Sequence, residues 1–99
     1  MPSDIIDVTQ DDIARGVASN CFECPIARAV DRHCGPGFIS AIRSARSRVI
    51  HERSREAFSF DTPPECQGFI EVFDYGFSNP DPFEFEIQGL SEWLEKMVG

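Results

Sequence analysis

The sequence has no apolar run approaching the ~18 residues of a membrane-spanning helix, and "MPSDIIDVTQDD" has no basic patch followed by an apolar segment. Neither a membrane protein nor a secretory signal is expected, and the expectation is a soluble, cytoplasmic protein. There is no P-loop, no GxGxxG and no HExxH, and neither His33 nor His51 accompanies a GxSxG-type nucleophile motif. An enzyme is therefore not expected, and no cofactor is implied. Internal repeats, linkers and low-complexity tracts are also missing. Cations are scarce in the second half: residues 54–99 hold only Arg55 and Lys96 against ten acids, giving −8.

What is present fits one domain over residues 1–99. Apolar residues make up 41%, and nine Phe with one Trp supply an aromatic core large for the chain length. Residues 1–53 balance seven acids with seven arginines, four of them (Arg43, Arg46, Arg48, Arg53) crowded into one stretch. The chain thus has a basic middle and an acidic end, and its net charge of −8 disfavours direct binding of nucleic acid.

Local patterns give the elements. "DIIDV", 4–8, reads as a strand. Thr9 followed by Asp12 resembles a capping box for a helix over 10–15, with Gly16 suited to a left-handed position after it. Pro25 fits the first position of a second helix, whose stripe of Ile26, Ala29, Val30 and His33 follows 3.6-residue spacing and which "GPG" ends. Residues 38–52 read as a hairpin in preference to one arginine-rich helix, and "AFSF" as a further strand. A helix over 63–75 takes Thr62 as N-cap, Pro63 at its first position and Glu65 at its third, buries Cys66, Phe69, Ile70 and Phe73, and closes at Gly76. "NPDP", 79–82, is a turn. "PFEFEIQ" alternates strictly, Phe83, Phe85 and Ile87 inward and Glu84, Glu86 and Gln88 outward, as in a half-buried strand. A last helix carries Leu90, Trp93, Leu94 and Met97 on one side. The fold class expected is α+β: a small, mostly antiparallel sheet of three to five strands with two or three helices on one face.

Cys21-x2-Cys24 is the spacing of half a zinc site. The other half would have to come from His33 and Cys34, and adjacent ligands diverge. No second CxxC or HxxxH exists. The preferred reading is structural: Cys24 precedes a helix-starting proline, Cys66 lies on an apolar helix face and Cys34 at a helix end. A small zinc-binding domain using Cys21, Cys24, His33 and Cys34 is the alternative.

The acids of the second half suggest a surface for a basic partner. The candidate partner-binding residues are Glu71, Asp74, Asp81, Glu84, Glu86, Glu92 and Glu95, a phosphate-mimicking set that would meet the basic surface of a nucleic-acid-handling protein. The arginines of 43–55 are expected beside the acids of 84–95, paired with them across the sheet.

Four motifs in order, "VTQDDIARG", "CPIARAV", "FIEVFDYG" and "PFEFEI", resemble a group of small uncharacterised proteins of bacteriophages and prophages. The matching residues are Thr9, Ile13 and Gly16; Cys24 to Ala27; Phe69, Phe73, Asp74 and Gly76; and Pro82, Phe83 and Phe85. The resemblance covers roughly residues 5–88. It implies a fold and a mobile-element origin, and no activity. Small acidic phage proteins include inhibitors of host defence such as anti-CRISPR proteins, some acting as DNA mimics. By that analogy the expectation is a non-enzymatic inhibitor working by protein–protein interaction.

Overall fold

The computed structural model describes residues 3–76 and 80–98. The elements run β1 (Ser3–Val8), α1 (Gln10–Arg15), α2 (Pro25–Cys34), β2 (Phe38–Ala41), β3 (Arg46–His51), β4 (Ala57–Asp61), α3 (Pro64–Tyr75), β5 (Phe83–Gln88) and α4 (Leu90–Val98). The class is α+β, as the patterns imply. The five strands divide between two antiparallel sheets, a ribbon β1–β5 and a meander β2–β3–β4. Residues 38–51 form the hairpin, so the arginine-rich helix is excluded. Of the "NPDP" turn, Asn79 lies outside the described residues.

Side-chain caps start the first two helices. Thr9 Oγ1 accepts from the Asp12 N–H at 3.2 Å, and Asp12 Oδ2 accepts from the Thr9 N–H at 2.9 Å, a reciprocal box with Asp in the usual Glu place. Cys24 caps α2, its sulfur accepting from the Ala27 N–H at 3.4 Å, and Pro25 follows where no amide hydrogen is needed.

Two expected caps are corrected. Gly16 is extended (φ −68, ψ 152), not left-handed. Its lack of a side chain serves packing instead: a Cβ there would come within 2.5 Å of Pro25 Cδ and Cγ. Thr62 does not cap α3, because its hydroxyl is used elsewhere. Thr62 Oγ1 donates to the Arg43 carbonyl at 2.6 Å and lies 2.7 Å from Ser47 Oγ, tying the β2–β3 turn to the end of β4. The N-cap falls on Pro63, with no side-chain bond, and helix α3 begins one residue late at Pro64. Gly76 closes it in the left-handed region at φ 67.

The core gathers α2 with the inner faces of both sheets: Ile26, Ala27 and Val30 with Ile6 and Val8 of β1, Val49 of β3, and Phe85 and Ile87 of β5. His33 does not share the burial of Ile26, Ala29 and Val30, because it sits at the open end of the helix. Phe69 of α3 packs against Phe83 with ring centres 5.0 Å apart, and Trp93 of α4 meets Phe38 and Phe58 at 5.7 and 5.9 Å.

Helix α2 also covers one edge of each sheet. The Ser40 N–H of β2 donates to Asp31 Oδ1 at 2.8 Å, and the Arg32 guanidinium donates to the Asp7 carbonyl of β1 at 2.8 Å. The remaining two edge strands are β4 and β5. They are not paired with each other.

Candidate functional site

The strict alternation of β5 fixes which side chains share a surface. Phe85 and Ile87 are buried and Phe83 half-buried, whereas Glu84, Glu86 and Gln88 face solvent. The register sets Asp7 of β1 directly opposite Glu84, and Ile5 opposite Glu86. Opposed side chains in an antiparallel pair sit ~5 Å apart at Cβ, so the Asp7–Glu84 pair repels. Arg32, bound to the Asp7 carbonyl, offsets part of that charge. Among the described residues, Glu84 and Glu86 enter no ion pair.

Beside this face an open cleft of about 550 Å³ separates β5 from the end of β4 and the start of α3. Asp61, Glu65, Glu84 and Glu86 line it, with Phe60 of β4 and Phe85 of β5 beside them. One cation answers them: Arg46 bonds Asp61 at 2.9 Å, with both side chains well exposed. The cleft therefore holds more negative charge than its own protein neutralises.

Only two of the seven expected partner-binding acids meet here. Glu71 on α3 and Glu92 and Glu95 on α4 are exposed but do not line the cleft. Asp81 borders a separate pocket with Gln10 and Phe73. Asp74 is half-buried and accepts from the Ser19 N–H at 2.9 Å, which ties the loop before α2 to α3. Asp61 and Glu65 belong to the cleft and were not among the candidates. The signal for Asp61 was present, since "AFSFD" continues the alternation of β4 by one residue.

The arginines do not pair with the acids of 84–95. Arg46 and Arg48 project from the outer face of β3, in a different sheet from Glu84 and Glu86, and no ion pair joins the two groups among the described residues.

The four alternative metal ligands do not converge. Cys21 and Cys24 precede α2 and His33 and Cys34 lie in its last turn, separated by a helix of ten residues, or about 15 Å at ~1.5 Å per residue. Among the described residues no group of three or more His, Cys, Asp or Glu is placed to hold a metal. Burial pushes the Cys34 and Cys66 thiols up to about 12 and raises that of Cys24.

His33 serves a different contact. Its Nε2 lies 3.0 Å from Asp4 Oδ1, and Asp4 also accepts the Ser91 N–H at 2.7 Å and the Ser91 hydroxyl. Burial works against the Asp4 charge, but the bonds from Ser91 and His33 outweigh it and hold the carboxyl below its ordinary range. The group joins β1, the end of α2 and the start of α4. The Ser91 hydroxyl donates to the carboxylate, not to the imidazole, so the order differs from that of a serine nucleophile with its base.

Compared with family models, curated proteins and solved structures, the chain matches none. No helix among the described residues is long and apolar enough to cross a membrane.

Proposed function

We propose that the protein is a non-enzymatic interaction protein that binds a basic surface of another protein through the acidic cleft and the adjoining outer face of β1–β5. The observation that carries this reading is the uncompensated charge of Glu84 and Glu86, with Asp7 set opposite Glu84 at a cost to the fold. Keeping like charges opposed beside the cleft gives up a little stability, and function is one reason for a protein to carry such a cost. The finer reading is a phage or mobile-element inhibitor of a nucleic-acid-handling host system, of the anti-CRISPR kind. It rests on the four motifs of the sequence alone. A basic nucleic-acid channel supplies the charge that the cleft lacks.

The test is the double reversal Glu84→Lys, Glu86→Lys. It takes the net charge from −8 to −4 without touching a buried side chain. Stability should hold or rise by up to about 0.5 kcal/mol, because the first of these changes sets a cation opposite Asp7 in place of an anion. Protein captured from host lysate by the wild type should be lost with the reversed variant, should elute between 50 and 500 mM salt, and should be displaced by duplex DNA. Capture that ignores both reversal and salt refutes the reading.

A further inference from the structure

Among the described residues the two sheets have four strand edges, treated in two ways. On β2 the edge N–H of Ser40 is occupied by Asp31, and on β1 the carbonyl of Asp7 is occupied by Arg32. Exposed edges invite unwanted pairing, and covering them with a helix is a standard protection. Among the described residues no strand pairs with the other two edges, those of β4 and β5, and both strands line the acidic cleft. The register shows which groups β5 leaves open. In an antiparallel ladder, residues alternate between bonding the partner strand and turning away from it. The Asp7 carbonyl turns away from β5, so its partner Glu84 turns its own N–H and C=O away from β1, as does Glu86 two residues on. The residues with free main-chain groups are thus the ones whose side chains bring the negative charge.

We propose that an extended segment of the partner, alternating basic with apolar residues, adds to the free edge of β5 as a further strand within this cleft. The inference rests on the proposed acidic-surface reading and specifies the partner's chemistry. Outward side chains of the added strand would stand beside Glu84 and Glu86 and should be Lys or Arg. Its inward side chains would lie beside Phe60 and Phe85 and should be apolar. Main-chain bonds supply affinity and the alternation supplies selection. A second copy of this chain is a poor occupant, because pairing β5 edge to edge would set Glu84 and Glu86 against their own counterparts.

The probe is the end-capped peptide KVKVKVK. Two further peptides carry N-methyl groups on all lysine amides or on all valine amides, so one of them loses every donor that faces β5. Binding of the parent should slow hydrogen exchange at the Glu84 and Glu86 amides at least tenfold, and one methylated peptide should bind at least tenfold more weakly than the parent. Glu86→Pro, which removes an edge donor without disturbing the β1 ladder, should weaken binding well beyond Glu86→Gln, which removes only the charge. The exchange measurement uses the wild type, so the test stands if the proline variant fails to fold. No binding at 1 mM overturns the inference, as does unchanged exchange at Glu84 and Glu86. If both methylated peptides bind like the parent while salt and the double reversal weaken all three, strand addition is wrong and the acidic-surface reading stands. Parent binding that is indifferent to salt and reversal removes both. Protection of these amides that grows with protein concentration alone would make a second copy the occupant and overturn the assignment of a basic partner.

Discussion

Replacing Asp12 with alanine removes three hydrogen bonds from a side chain with 0% exposure: from the Thr9 N–H at 2.9 Å, and from Arg32 Nη1 and Nη2 at 2.6 and 2.9 Å. The cap contributes about 1 kcal/mol. The charge-assisted pair would be stronger if fully enclosed, but the Arg32 side chain is 51% exposed, which limits it to about 1–2 kcal/mol. Asp12→Ala should thus cost roughly 2–3 kcal/mol, a large share of the ~5–15 kcal/mol of a domain this size. Arg32→Ala should cost as much, since it leaves the carboxylate buried with only Arg28 Nε at 3.9 Å as a cation. The double variant should be less destabilised than the two singles added, by about 1–2 kcal/mol of coupling. Urea unfolding of the four proteins at pH 7 measures this.

The pH dependence checks the same contact by another route. Burial alone would raise the Asp12 pKa, but the Arg32 and Thr9 hydrogen bonds outweigh it and hold the group below its ordinary value of 3.8. A carboxyl lowered by folding stabilises the native state fully above its unfolded pKa and loses that contribution as pH falls through the folded value. The gap between wild type and Asp12→Ala should therefore be constant from pH 7 to pH 5 and shrink below about pH 4. Asp4 titrates in the same direction but is present in both proteins, so the difference isolates Asp12. A gap below about 0.5 kcal/mol at pH 7, within the range of ordinary surface substitutions, or one unchanged down to pH 2, would refute the argument.

Other substitutions probe other links. Phe69→Ala, at a buried ring against Phe73 and Phe83, should cost about 3–4 kcal/mol, and Phe73→Ala, half-buried, about half of that; equal melting temperatures would show that the α3 face is not the core contact described. Gly16→Ala should cost about 1–3 kcal/mol by forcing Pro25 to move, and a neutral result in thermal unfolding would remove the packing explanation for that glycine. With Cys34 and Cys66 pushed up to about 12, only roughly one thiol in 10⁴ is ionised at pH 8; native alkylation followed by mass spectrometry should label Cys21 first, and equal rates at all three would mean that the native state opens readily around Cys34 and Cys66.

Much of the fold was legible because it is local. The Thr9–Asp12 box, the Pro25 start, the hairpin and the alternation of β5 each follow from a few neighbouring residues, and each appears in the structure. What was not legible is pairing at a distance. The β5 pattern says which side chains face inward, but nothing in it says that the partner strand is β1 rather than β4, so the division into two sheets stayed hidden. The burial of Asp4 was closer to the surface of the sequence: it shares a strand face with Ile6 and Val8, at spacings of two. Read as one acid among several, it looks solvated; read by phase, it points inward and needs partners. Thr62 failed for the opposite reason. Its cap position was sound locally, and a tertiary acceptor, the Arg43 carbonyl, took the hydroxyl.

The acidic site divides along the same line. Acids on helices turn about the axis by ~100° per residue, so Glu71, Glu92 and Glu95 carry charge without a shared direction with the cleft, whereas Glu84 and Glu86, two apart on a strand, must share a face. Charge density along the chain counts both kinds equally, which is why only two of the seven residues it named line the cleft. The same angular rule explains how one helix serves two sheets. Asp31 and Arg32 are neighbours on α2 and therefore point apart, one toward β2 and the other toward β1. Their chemistry matches what each edge presents: the carboxylate accepts the Ser40 N–H, and the guanidinium donates to the Asp7 carbonyl. Two adjacent residues of opposite hydrogen-bonding character thus engage one main-chain group on each of two edges, a donor on β2 and an acceptor on β1, and the strand edges beyond their reach are those of the cleft.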